Sequence, residues 1–319
     1  MSTSIKCLVT GGAGFIGSHL CEALIEKGYE VYAVDNLVTG SKKNIAHLEK
    51  NTHFHFVSHD VINPFPINLQ FPTSDFQFIY HLASPASPPQ YQKYAVETML
   101  TNSIGTYNCL ELAKKSDAVF ILASTSEIYG DPQEHPQKES YYGYVNPVGI
   151  RACYDESKRF AEAITMEYKR KFKVRTRIIR IFNTYGPKMM VTDGRVISNF
   201  INAALNKRPL KMFGSGLQTR SFCYVSDMVD GLTRAAETEG IDGEVLNLGN
   251  PVEKSIIDIG KIILELTGSN SPIDYSDKQE DDPVRRKPDI SRAKRLLKWE
   301  PNVNLTEGLN KTIDYYKKI

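Results

Sequence analysis

A glycine-rich turn between an apolar strand and a helix constrains this chain more than any other feature. Residues 5–10, Ile-Lys-Cys-Leu-Val-Thr, read as a short buried strand, and residues 15–27 carry helical periodicity through Phe15, Ile16, Leu20, Ala23 and Leu24. Gly11, Gly14 and Gly17 lie at the junction. Gly28 stands where a helix C-terminal cap belongs, and residues 29–34 return as a second strand. The pattern predicts a βαβ unit with a tight turn at the start of its helix. Unpaired backbone N–H groups and the helix dipole at such a turn suit a dinucleotide diphosphate, here beside Gly11, Gly14, Phe15, Ile16 and Gly17. Asp35, followed by Asn36, ends the second strand. A carboxylate there accepts hydrogen bonds from ribose hydroxyls and repels a 2′-phosphate. No arginine follows it, so NAD is the expected cofactor rather than NADP.

Strands and helices alternate along the rest of the chain. Residues 78–82, 118–122, 174–181 and 244–248 read as buried strands, and 91–115 and 154–172 as long helices. The fold class is therefore α/β, a Rossmann-type doubly wound parallel sheet with a smaller C-terminal substrate-binding lobe. Glycine and proline clusters near Gly186 and Gly214 divide it: residues 1–181, with 224–262 returning, form the nucleotide-binding part, and 182–223 with 263–319 the lobe. A chain of 319 residues can bury a core of that size. The net charge of +2 gives no reason to expect nucleic acid, and no apolar run approaches the length of a membrane span. The first strand at residue 5 leaves no room for a signal peptide ahead of it. Five scattered cysteines without a CxxC pair suit a reducing compartment, and a cytoplasmic location is expected. His53, His55 and His59 lie close together, but no carboxylate or thiolate set completes a metal site.

Tyr154 and Lys158 are one helical turn apart and share a helix face. A tyrosine with its ordinary pKa of about 10 is a poor base at neutral pH, and a neighbouring ammonium lowers that value. Such a tyrosine can take a hydroxyl proton while a nicotinamide takes the hydride from the same carbon. Thr125, Ser126 and Glu127 follow a strand, at the end that faces the ligand crevice of an open α/β sheet.

With these motifs in place, the chain resembles the extended short-chain dehydrogenase/reductases, and within them the UDP-glucuronate decarboxylases (UDP-xylose synthases). The likeness runs through 81–89, 123–132, Val145-Asn146-Pro147, 151–156, 180–187, 193–196, 214–216, 218–220 and Asp281-Asp282-Pro283. It implies oxidation of the C4 hydroxyl of UDP-glucuronate, loss of CO2 from the 4-keto uronate, and re-reduction by the same bound NAD. In that scheme Tyr154 is the base and Lys158 holds the nicotinamide ribose. Thr125 and Ser126 bind the C4 oxygen, Glu127 positions the sugar or a water near C5, and Arg220 is a further active-site cation. Asp60, Val61, Leu82, Ala83 and Ser84 join the cofactor residues. Asn108, Asn183, Arg195 and Arg285 hold the substrate with Arg220. The resemblance also implies a homodimer in which the two long helices build a four-helix bundle.

Ser126 separates this expectation from its nearest rival. The similar 4,6-dehydratases carry an acid pair where this chain has Ser126-Glu127, and a serine hydroxyl is too weak an acid to protonate a departing C6 hydroxyl. The 4-epimerases lack the glutamate. A non-catalytic NAD sensor would not need Tyr154, Lys158 and Glu127 together. The chain departs from the family pattern at Tyr142 and Tyr144, where a tryptophan and a histidine are expected, and at Leu100, where some relatives place a lysine.

Overall fold

In the computed structural model, which describes residues 4–65, 75–277 and 285–319, strand and helix alternate from the start. The order is β1 (Lys6–Thr10), α1 (Phe15–Glu26), β2 (Glu30–Asp35), β3 (Phe54–Ser58), β4 (Phe78–His81), α2 (Pro88–Lys93), α3 (Ala95–Leu100), a π turn (Thr101–Gly105) and α4 (Thr106–Ser116). Then come β5 (Val119–Thr125), α5 (Ala152–Phe172), β6 (Arg175–Ile181), β7 (Thr184–Tyr185), α6 (Val196–Leu205), β8 (Leu210–Phe213), β9 (Thr219–Ser221) and β10 (Cys223–Tyr224). The chain continues through α7 (Val225–Glu237), β11 (Glu244–Leu248), β12 (Glu253–Ser255), α8 (Ile256–Thr267), β13 (Ile273–Ser276), β14 (Arg285–Arg286), α9 (Ser291–Leu297) and α10 (Leu305–Tyr316).

Seven parallel strands form one sheet in the order β11-β6-β5-β4-β1-β2-β3. Alternate side chains divide its core into two layers, as the period-2 geometry of a strand requires. Cys7, Val9, Ala33, Tyr80 and Ile121 pack with Leu20 and Leu24 of α1 and Leu232 of α7. Leu8, Val34, Ile79, Phe120 and Leu122 pack with Cys109 and Leu110 of α4 and Ala161 and Tyr168 of α5. A sheet covered on both faces explains why its strands read as apolar runs. Strand order reverses between β1 and β4, and the crevice at a reversal is where open α/β sheets bind ligands.

Two expectations change. The single helix over 91–115 is two short helices and a π turn leading into α4. Tyr94, at φ −115° and ψ 49°, leaves the helical region between α2 and α3. The segment returning to the large sheet also ends earlier than residue 262: β11 pairs with β6, whereas α8 packs on α6 and β8, away from the sheet. Conversely, α9, assigned to the lobe, packs back on β11 and α7. The lobe's own strands form small sheets, β12-β9-β14, β13-β8 and β10-β7. Among the described residues no helix is long and apolar enough to cross a membrane, and no cluster of His, Cys, Asp and Glu is arranged to hold a metal. The Asp281-Asp282-Pro283 motif lies outside the described residues.

Trp299, the one tryptophan of the chain, is 1% exposed and fixes the C-terminal segment to α7. Its indole N–H donates to the Asp227 carbonyl at 2.9 Å, and the Val303 N–H donates to the Asp227 carboxylate at 3.0 Å. Trp299→Ala should lower unfolding free energy by about 3–5 kcal/mol, measured by urea titration.

Candidate active site

A cavity of about 560 Å3 runs along the carboxyl ends of β1, β2, β4 and β5 and on to the lobe. Its size suits a buried small-molecule ligand. At one end the turn after β1 approaches itself closely. A Cβ on Gly17 would lie 2.1 Å from the Gly11 carbonyl oxygen, and Gly11 itself has φ +71° against the backbone of Ala83. Only glycine permits that packing. No side chain caps α1, and its first turn, Phe15, Ile16 and Gly17, lines the cavity. The first N–H groups of a helix have no partner within it, so they present a cradle for an anion. The residues present therefore fit a dinucleotide diphosphate.

Asp35 sits beside this cradle with its carboxylate already oriented. It accepts from the Ala13 N–H at 3.1 Å and the Leu37 N–H at 2.7 Å, and is 8% exposed. Burial raises its pKa and the two backbone donors oppose that rise. Lys42 rests over the Phe56 ring. Asn36 donates to Asp60 at 2.9 Å, and Asp60 in turn accepts from the Ile62 N–H at 3.1 Å, which closes the wall where an adenine would lie. Val61, Leu82, Ala83 and Ser84 complete this half of the lining.

The other half is built on β5 and α5. Thr125 ends β5, and its Oγ1 caps the short 3-10 turn that follows by accepting from the Glu127 N–H at 3.1 Å. That turn brings Ser126 and Glu127 into the cavity lining. Tyr154 and Lys158, both buried, line it from α5. The Lys158 ammonium donates to the Ala123 carbonyl at 2.9 Å and lies 5.9 Å from the Tyr154 ring centre. Burial lowers its pKa to about 7. Burial also raises Tyr154 above its ordinary value, with Glu127 and Asp155 adding to the rise and the Thr125 hydroxyl and Arg195 opposing it. Tyr91 stacks on Tyr154 at 5.0 Å and holds its ring in place.

Glu127 is gripped by two guanidiniums. Arg151, just before α5, pairs with one carboxylate oxygen and Arg286 of β14 with the other. Arg286 also donates to the Gly130 carbonyl at 3.0 Å, and its side chain is 3% exposed. Burial would raise the Glu127 pKa, but Arg286 and Arg151 together hold it at about 2. Nearby Asp155 has no such partner: its Oδ1 is buried without a hydrogen bond, and burial next to Glu127 raises it to about 8. The two guanidiniums favour the ionised form of Glu127, and burial beside that charge favours the neutral form of Asp155.

A family model described as GDP-mannose 4,6 dehydratase matches residues 8–312. A UDP-glucuronic acid decarboxylase 1 of Xenopus tropicalis is 51% identical over 98% of this chain and 72% of its own length. The chain belongs to this decarboxylase family. Among solved structures, a UDP-glucuronic acid 4-epimerase of Bacillus cereus, in complex with UDP-glucuronic acid and NAD, superposes with a TM-score of 0.89 at 32% identity, over 98% of this chain and 99% of its own. A UDP-glucose 4-epimerase of Thermotoga maritima, in complex with UDP-glucose, has a TM-score of 0.90 at 30% identity with the same coverage.

Most of the residues expected at the site do lie around the one cavity. Asn183, Arg195 and Arg220 line its lobe end, with Arg195 forked onto Asp193 at 2.5 and 2.9 Å. Two expected members of the decarboxylase site are placed elsewhere. Asn108 is not among the lining residues of the cavity; it donates to the Val61 and Ile62 carbonyls at 2.9 and 3.2 Å and so stands behind the wall those two residues form. Arg285 is exposed, and its neighbour Arg286 takes the inward position, because successive side chains of a strand face opposite sides. Arg151 and Arg286, which line the cavity and pair with Glu127, are the residues that sequence reasoning missed. An adjacent Arg-Arg pair signals that one of them faces inward, but only the register of β14 beside Arg220 says which.

An acid whose pKa is raised by folding loses stability as pH rises from its unfolded value of about 4 to its folded value. For Asp155 that window runs up to about 8. Asp155→Asn should therefore gain stability relative to the parent protein between pH 5 and pH 8, a change visible in paired urea titrations at the two pH values.

Proposed function

We propose that this chain converts UDP-glucuronate to UDP-xylose with NAD held in the cavity. The curated relatives are named UDP-glucuronic acid decarboxylases, and a solved neighbour is in complex with UDP-glucuronic acid and NAD. The observation that carries the reading within the family is the Ser126–Glu127 pair. A departing C6 hydroxyl needs an acid, and here Ser126 is too weak while Glu127 is held ionised at about 2. Arg151, Arg220 and Arg286 make this wall cationic, which suits a uronate carboxylate.

Held by the Gly11–Gly17 turn and Asp35, NAD would supply the hydride acceptor for C4 and the hydride for its later re-reduction. Thr125 and Ser126 hydrogen-bond the C4 oxygen and place its proton at the Tyr154 hydroxyl oxygen, from which Tyr154 removes it as the phenolate. Tyr154 is buried and its pKa raised, so the ammonium of Lys158 must stay charged for the phenolate to form. With C4 a ketone, the electrons of the C5–carboxylate bond flow into the carbonyl as CO2 leaves. Thr125, Ser126 and the protonated Tyr154 hold the resulting enolate oxygen. Ionised Glu127 orients a water that donates a proton to C5, and the hydroxide left behind is reprotonated from bulk solvent, so that one solvent proton replaces the lost CO2. Tyr154 gives its proton back to the C4 oxygen as the alcohol reforms.

A homodimer through a helix bundle belongs to the same proposal. Val96, Met99, Ile104, Tyr107 and Phe160 are 66, 45, 45, 46 and 49% exposed on α3, the π turn, α4 and α5, an apolar surface that a second copy would cover. Five unpaired cysteines agree with a reducing, cytoplasmic setting.

Purified protein given NAD and UDP-glucuronate should release CO2 and yield a UDP-pentose by mass spectrometry. A UDP-hexuronate of unchanged mass but altered retention would mean epimerisation. Dehydration of dTDP-glucose or UDP-glucose, with UDP-glucuronate untouched, would mean dehydratase chemistry. Tyr154→Phe should lower kcat by about 10²–10⁴-fold with its unfolding curve little changed. Met99→Glu with Tyr107→Glu should convert a dimeric light-scattering mass to a monomeric one.

A further inference from the structure

Lys158 has to carry its charge where burial disfavours it, and the structure places one carboxylate behind it. Tyr154, Lys158 and Glu162 are spaced by four residues along α5, so they form one stripe on the helix face that meets the sheet. The Glu162 side chain is 13% exposed and accepts from the Ser124 hydroxyl at 2.5 Å. Ser124 stands between Ala123, whose carbonyl takes the Lys158 ammonium, and Thr125, which faces Tyr154. Arg180 of β6 grips the same carboxylate through Nε at 3.0 Å and Nη2 at 2.8 Å. Arg180 is anchored by the Tyr129 hydroxyl at 2.9 Å and the Glu139 carbonyl at 3.0 Å. Glu162 does not line the cavity.

We propose that Glu162 is a positioning residue that keeps the buried Lys158 ammonium charged, with Arg180 setting how much of its negative charge Lys158 feels. This rests on the role given to Lys158 in the proposed reaction. The groups facing Lys158 are few. Tyr154 and Glu162 come from its own helix, Ser124 and Thr125 from β5, the neutral ring of His81 from β4, and Arg180 through Glu162 from β6. His81 is buried between the Thr10 and Thr106 hydroxyls at 2.8 and 3.1 Å, and its pKa is held at about 3, so it adds no charge at neutral pH. Against the burial that lowers Lys158, Glu162 is the group that raises it.

The sign follows from these charges. Removing the Glu162 charge leaves Lys158 facing an uncompensated Arg180, so the ammonium gives up its proton at lower pH. Removing Arg180 frees the Glu162 charge, so Lys158 keeps its proton to higher pH. A purely structural role for the pair makes no such opposed prediction.

The test is an NMR titration of lysine labelled with 13C at Cε, with the Lys158 signal assigned through Lys158→Arg. Glu162→Gln should move the Lys158 midpoint down by about one pH unit or more, as expected for loss of an opposite charge at this range. Glu162→Asp should restore most of the shift, and Arg180→Met should move the midpoint up. Midpoints that stay within about 0.3 unit of the parent protein, or that move the same way in the Gln and Met variants, would overturn the proposal. Should Glu162→Gln fail to fold, the upward shift in Arg180→Met decides it. The titration needs no substrate, so a protein inactive on UDP-glucuronate would overturn the proposed reaction while leaving this result standing. In an active enzyme the alkaline limb of single-turnover NAD reduction should follow the same two directions.

Discussion

The structure of the site depends on one buried ionic contact, the Glu127 carboxylate between Arg151 and Arg286. Those three residues come from the end of a sheet strand, the approach to α5, and a strand of the lobe. Their charges close the far wall of the cavity and join the two halves of the chain around it. Burying a carboxylate alone would carry a large desolvation penalty, and two guanidiniums with hydrogen-bonding geometry offset it. The same contact decides chemistry, because a glutamate held ionised can orient a water or repel an anion but cannot donate a proton.

Tyr154 and Lys158, in the same β5–α5 half of the cavity, meet a different electrostatic problem. The proposed reaction needs Tyr154 to ionise and Lys158 to stay charged, though burial works against both. The fold answers with backbone and helix geometry: the Ala123 carbonyl at the end of β5 receives the ammonium, and α5 presents its residues at helical spacing above it. At the remaining end, closely packed glycines leave room and N–H groups for a diphosphate.

Much of this was legible in the residues. The Gly11–Gly17 turn, Asp35 at a strand end, and the Tyr154–Lys158 pair are short-range patterns in which spacing alone fixes geometry. They gave the βαβ unit, the parallel sheet and the two ends of the cavity. What escaped depends on long-range register. Arg285 and Arg286 are equivalent to any local rule, and only pairing of β14 with β9 turns the second one inward. Asn108 lies on a helix that passes the cavity, and its orientation toward Val61 follows from tertiary packing. The break at Tyr94 carries no glycine or proline, and Gly105, which closes the π turn, is an isolated glycine inside a helical pattern, so periodicity ran straight through both. The packing of α8 was hidden for a similar reason, since α8 is amphipathic in either location and its contacts with α6 decide its side.

The most direct test of the ionic contact as the structural centre of the site is a double-mutant cycle on Glu127→Gln and Arg286→Met, read in unfolding free energy. A buried pair predicts a coupling energy above about 1.5 kcal/mol, with the double variant less destabilised than the sum of the singles. Additivity within about 0.5 kcal/mol would contradict it and reduce the contact to two neighbouring charges.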